Sequence, residues 1–126
     1  MAHTFPVIPQ AAFAFAIMIS AAAAGEAKMT GPEITEALTG NTVQGVWGST
    51  EYRSYFDPSG TTIYATRRGQ DVGRWNVKGD RYCSVWERSG ESCYDLLRDG
   101  DQIIWIVPAS GKRYPSTLVK GKALGF

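Results

Sequence analysis

The chain has 126 residues, 44% hydrophobic and 20% charged, with a formal net charge of +1, two cysteines and one histidine. That length suits one domain at most, and the near-neutral charge argues against a nucleic-acid binder, which would carry a basic stripe. The histidine is His3, inside a segment expected to be removed, and a mature chain without histidine cannot build a Ser-His-Asp triad, a Cys-His pair or a histidine-bearing zinc or haem site.

From Ala11 to Ala24 the sequence reads AAFAFAIMISAAAA. About 14 such residues are too few to span a bilayer as a helix, which needs roughly 20. The run fits the apolar region of a secretory signal peptide over residues 1–24, with cleavage after Ala22-Ala23-Ala24. Its amino-terminal flank lacks Lys and Arg, an atypical feature. Export to the periplasm is expected, with no stable membrane insertion of the mature chain. In an oxidising compartment the pair Cys83 and Cys93 reads as a disulfide. Two cysteines without histidine cannot complete a four-ligand zinc site, so no metal is expected.

Residues 25–32 read as a lead-in, and 33–126 as a single β domain. Thr30 and Glu33 have capping-box spacing, with Pro32 in the first turn. Ile34, Ala37 and Leu38 share one face, and Gly40 can stop a helix of about two turns. Short β-type runs follow at Thr42–Trp47, Tyr52–Phe56, Thr61–Thr66, Val72–Val77, Arg81–Glu87, Ser92–Arg98, Gln102–Val107 and Arg113–Val119. Gly, Asp, Ser and Pro punctuate them as tight turns require, and strand signals every 8–12 residues without intervening helix indicate an antiparallel meander. If Cys83 lies opposite Cys93, Trp86 faces Gly90 across a Glu87-Arg88-Ser89 loop. Ile103–Val107 is apolar on both faces, which suggests a strand covered on its outer side by the amino-terminal helix. Such a chain closes into a barrel or folds into a small sandwich. Closure removes exposed edges, which favours a mainly β fold: a small antiparallel up-and-down, calycin-like barrel of about eight short strands with one short helix.

Trp47, Trp75, Trp86 and Trp105 with six tyrosines make a heavy aromatic load. Core packing accounts for most of it, while rings such as Trp75 and Trp86 at a barrel mouth would grip a ligand. The aspartates Asp57, Asp71, Asp80, Asp99 and Asp101 fall in expected turns, leaving Asp95 as the one mid-strand acid for a carboxylate-dependent hydrolase. There is no phosphate loop or nucleophile elbow. The chain is therefore expected not to be an enzyme and to need no cofactor. The segment Pro108–Tyr114 places Ser110, Lys112, Arg113 and Tyr114 where they could project into a partner.

Leu38-Thr39-Gly40-Asn41-Thr42, Tyr52 to Gly60, Gly73-Arg74-Trp75, Cys83-Ser84-Val85-Trp86, Cys93 and Asp99-Gly100-Asp101 together resemble a family of small exported proteobacterial domains of unknown function. That resemblance spans most of Glu33 to Val119 and implies an exported β domain without assigning an activity. Ser110-Gly111-Lys112-Arg113-Tyr114 is similar to the S-G-x-x-Y motif of periplasmic lysozyme inhibitors. There it implies that Ser110 and Tyr114 would enter the lysozyme active site. The sequence thus leads to a non-catalytic periplasmic barrel binding a small apolar or aromatic ligand or an envelope protein. A lysozyme inhibitor acting through Ser110–Tyr114 is the alternative.

Overall fold

The computed structural model describes residues 25–126 and Thr4. The expected signal peptide, His3 included, lies outside the described residues except for Thr4. The elements in chain order are β1 (Ala27–Lys28), α1 (Gly31–Leu38), β2 (Thr42–Trp47), β3 (Thr50–Phe56), β4 (Thr61–Thr66), β5 (Gly69–Lys78), β6 (Arg81–Trp86), β7 (Gly90–Asp99), β8 (Gln102–Ile106) and β9 (Arg113–Val119). From β2 to β9 each strand pairs antiparallel with the next, and β9 returns to β2 with Thr42 opposite Val119. The result is a closed eight-stranded up-and-down barrel.

Two hairpins show how the turns are made. Lys78 pairs with Arg81 across Gly79-Asp80, and Asp99 with Gln102 across Gly100-Asp101. The commonest two-residue loops take a left-handed φ at the first position, and Gly79 and Gly100 supply 58° and 59°. Period-2 alternation then turns one side of every strand inward. Val43, Tyr52, Phe56, Tyr82, Leu96, Ile103 and Trp105 fill the interior.

The helix closes one end of this barrel. Thr30 and Glu33 form the reciprocal capping box, and the Gly31 N–H donates to the Asp80 carboxylate at 2.7 Å. A Cβ on Gly31 would stand 2.2 Å from the Gly79 carbonyl oxygen, so only glycine lets the helix start rest on the β5–β6 hairpin. At the other end of α1, Gly40 takes φ 75° and donates its N–H to the Phe56 carbonyl at 2.7 Å. Ile34 and Leu38, fully buried, drop into the interior cluster. Burying each such side chain is worth about 1.5–3 kcal/mol, which is why an eight-residue helix with little stability of its own persists.

Three expectations change. The helix does not cover the outer side of β8. It packs at the barrel end against β5 and β6, because its apolar face is too short to lie along a strand and fits the end opening. The lead-in is not loose over Gly25 to Met29: Ala27 and Lys28 pair with Arg98 and Leu97, beyond the point where the β6–β7 ladder stops. Met29 is core, its N–H donating to the Leu96 carbonyl at 2.9 Å. Finally, β5 begins at Gly69 rather than Val72 and β7 extends to Asp99, so Asp71 and Asp99 belong to strands rather than turns.

Candidate ligand-binding cup

With one end plugged, the barrel opens at the other, where the β2–β3, β4–β5, β6–β7 and β8–β9 connections lie. A cavity of about 590 Å³ enters there, walled by Trp47, Tyr52, Tyr64, Trp86, Tyr94 and Trp105, with Tyr82 in the wall as well. Ser54 and Ser84 add hydroxyls inside, and Gln70, Asp71, Glu87, Arg88 and Ser89 stand among the residues around it. The volume falls within the roughly 300–1,000 Å³ typical of small-molecule sites.

The rings brace one another. Tyr52 stacks on Tyr64 with centroids 5.3 Å apart, and Tyr64 meets Trp86 edge-on at 6.3 Å. Trp105 takes Tyr82 and Tyr94 edge-on at 4.9 and 5.9 Å. Two indoles are further fixed by hydroxyls: Trp86 Nε1 donates to Ser84 Oγ at 2.9 Å and Trp105 Nε1 to Ser116 Oγ at 3.0 Å. Ser116 in turn donates to the Ile103 carbonyl at 2.7 Å. Such side chains are preorganised, so a ligand would find its contacts already ordered.

Two glycines make room for this arrangement. A Cβ on Gly73 would come within 2.7 Å of Trp86 Cε3, and one on Gly45 within 3.1 Å of the Tyr52 hydroxyl. In the G-x-W triplets Gly45-Val46-Trp47 and Gly73-Arg74-Trp75, the glycine therefore accommodates an aromatic residue from the neighbouring strand.

Burial raises the Tyr52 and Tyr82 hydroxyls well above the ordinary tyrosine value. Tyr64 is raised by burial and then by the charge of Asp71, which pairs directly opposite it on β5. A tyrosine whose folded pKa exceeds its unfolded one keeps its stabilising contribution below the unfolded value, near 10. It loses that contribution as pH climbs from there through the folded value. Denaturant stability should therefore hold to about pH 9 and fall above pH 10. In an absorbance titration, Tyr52 and Tyr82 should form tyrosinate only together with alkaline unfolding. Full ionisation of all six tyrosines in one step near pH 10 with the fold intact would refute this.

The residues singled out from sequence separate in space. Trp86 lies in the cup wall. Trp75 lies toward the plugged end, donating from Nε1 to the Asp57 carbonyl at 3.0 Å and packing edge-on against Phe56. Tyr114 stacks on Trp47 at 3.8 Å and pairs directly opposite Trp105, half-buried on the inward side of β9. Ser110 Oγ accepts the Lys112 N–H at 3.2 Å, with both residues exposed on the β8–β9 connection. Arg113 pairs with Glu26. Asp95 is directed outward between Arg81 at 3.1 Å and Lys28 at 3.9 Å, a structural ion-pair position away from the cup. Cys83 and Cys93 form a disulfide between directly opposed residues. Glu91 lies near it, but bonded sulfurs offer no thiolate to a metal.

Sequence reasoning does not reach Trp47, Tyr52, Tyr64, Tyr94, Trp105 or Asp71 as site residues. The available signal was phase: Tyr82, Ser84 and Trp86 share one face of β6, and the same inward face of the paired strands carries the others. Comparison with protein-family models, with curated proteins and with solved structures finds no match.

Proposed function

We propose that this chain is a non-catalytic binding barrel, exported to the periplasm, that takes a small apolar or aromatic ligand into the cup. The observation that carries the reading is a braced aromatic cavity of about 590 Å³ in a barrel plugged at its opposite end. The disulfide suits an oxidising compartment, and the apolar leader suits export.

The test is a titration of the full chain with the neutral probe N-phenyl-1-naphthylamine, followed by probe emission and tryptophan quenching. Saturable binding at one site is expected. Trp86→Ala should weaken it about threefold to tenfold, the loss of roughly one aromatic contact. Val46→Ala, on an exposed outer position, should leave it unchanged. Absence of saturable binding, or equal effects of both substitutions, would overturn the reading.

The lysozyme-inhibitor alternative has less support, because the Tyr114 ring is already stacked on Trp47 and so is not free to enter a partner. A lysozyme turbidity assay separates the two readings. Inhibition at micromolar protein that disappears with Ser110→Ala would favour the inhibitor.

A further inference from the structure

We infer that the cup selects organic cations with an apolar shell, the quaternary or tertiary ammonium class, over neutral molecules of the same shape. This rests on the reading of the cup as the binding site and names the ligand chemistry within it.

Three observations converge. First, seven of the residues lining the cavity are aromatic. A ring face carries a negative quadrupole that attracts a cation placed over it, tryptophan most strongly. Second, among the described residues no cation of the protein sits over these rings. Among the described residues, the cation–ring contacts lie elsewhere, with Arg53 and Arg67 on Phe126 and Lys122 on Tyr55. Arg88 is the one basic residue among those lining the cavity, exposed in the β6–β7 connection. Third, a carboxylate stands where an entering cation would pass. Asp71 pairs opposite Tyr64 and keeps phase with Gly73 and Trp75 on the inward side of β5. Its charge already reaches the Tyr64 hydroxyl, and Glu87 is a second acid around the cavity.

The aromatic lining also limits which cation fits. A compact ammonium such as a lysine head group is strongly hydrated, and the interior hydroxyls of Ser54 and Ser84 cannot replace a full water shell. An alkylated ammonium surrenders little hydration and presents methyl groups to the rings. Neutral ligands gain the same apolar contact but nothing from the ring quadrupoles or from Asp71.

The experiment is calorimetric and fluorescence titration of the full chain with choline and with 3,3-dimethyl-1-butanol, its neutral isostere, at constant ionic strength. Choline should quench tryptophan emission and bind at least tenfold more tightly than the isostere. Asp71→Asn should weaken choline threefold or more and narrow its advantage over the isostere by a similar factor. Asp71 is exposed, so this variant should melt like the parent. Equal or tighter binding of the isostere, or an Asp71→Asn variant that binds choline like the parent, overturns the inference. If neither compound binds while N-phenyl-1-naphthylamine does, the cation selectivity fails and the cup reading stands. If the naphthylamine also fails to bind, the proposed function falls with it.

Discussion

Phe56→Ala should destabilise the protein by about 3–5 kcal/mol, the range for removing a buried aromatic ring. Phe56 is 1% exposed and sits where the aromatic interior meets the helix plug. Trp75 and Tyr82 meet it edge-on, each at 5.6 Å, and Trp105 lies parallel to it at 6.3 Å. Its backbone is also fixed, accepting from Gly40 and donating to the Asn41 carbonyl at 3.1 Å. A closed ring of hydrogen-bonded strands cannot shrink around a lost side chain, so the cavity term should lie near the top of its range. Against a total stability of about 5–15 kcal/mol for such a domain, the variant would be marginal at 37 °C. Urea denaturation followed by tryptophan emission measures it, with Phe56→Leu expected to recover much of the loss. A cost under about 1 kcal/mol would mean that the plug and barrel pack independently.

Replacing both cysteines, Cys83→Ala with Cys93→Ala, should cost roughly 2.5–3 kcal/mol by the loop-closure model. The sulfurs bridge directly opposed residues of β6 and β7, ten apart in sequence. They lie on the face opposite the one that Tyr82, Ser84 and Trp86 turn to the cup. The loss should therefore appear in unfolding, while probe affinity measured well below the melting temperature stays within about twofold of the parent. Reduction of the native protein by dithiothreitol should reproduce the same shift. A variant as stable as the parent would show that the hairpin is already as constrained in the unfolded ensemble as the bridge makes it.

Much of the architecture was legible because its signals are local. Thr30 and Glu33 specify the helix start by spacing alone, and the two cysteines fix the β6–β7 register, placing Trp86 opposite Gly90 as the residues implied. The misses have a common cause: they depend on a partner distant in sequence. Ala27–Lys28 is a strand only because β7 offers an unpaired edge past the end of β6, and two residues carry no periodicity. Asp71 reads as a turn residue by type, yet it pairs with Tyr64 because the β4–β5 connection is shorter than its polar sequence suggests. Phase can say that Trp75 and Trp86 sit on the inward side of their strands. It cannot say which end of the barrel each occupies, and that decides why Trp86 faces the cup and Trp75 packs near the plug.

The pairing of β2 with β9 has a kinetic consequence. Every other neighbour in the ring is joined by a short connection and can form as a local hairpin within microseconds. The β2–β9 ladder joins distant parts of the chain, with Thr42 opposite Val119, and just past it Thr42 Oγ1 donates to the Gly121 carbonyl 79 residues away. The chain must lose its loop-closure entropy before that ladder returns any contact. Non-local pairing of this kind slows folding toward milliseconds and beyond. Until it forms, β2 and β9 are two open edges able to pair with another molecule. Refolding yield should therefore fall with protein concentration, and substitutions in the β2–β9 ladder should slow folding more than equally destabilising ones in the β5–β6 hairpin.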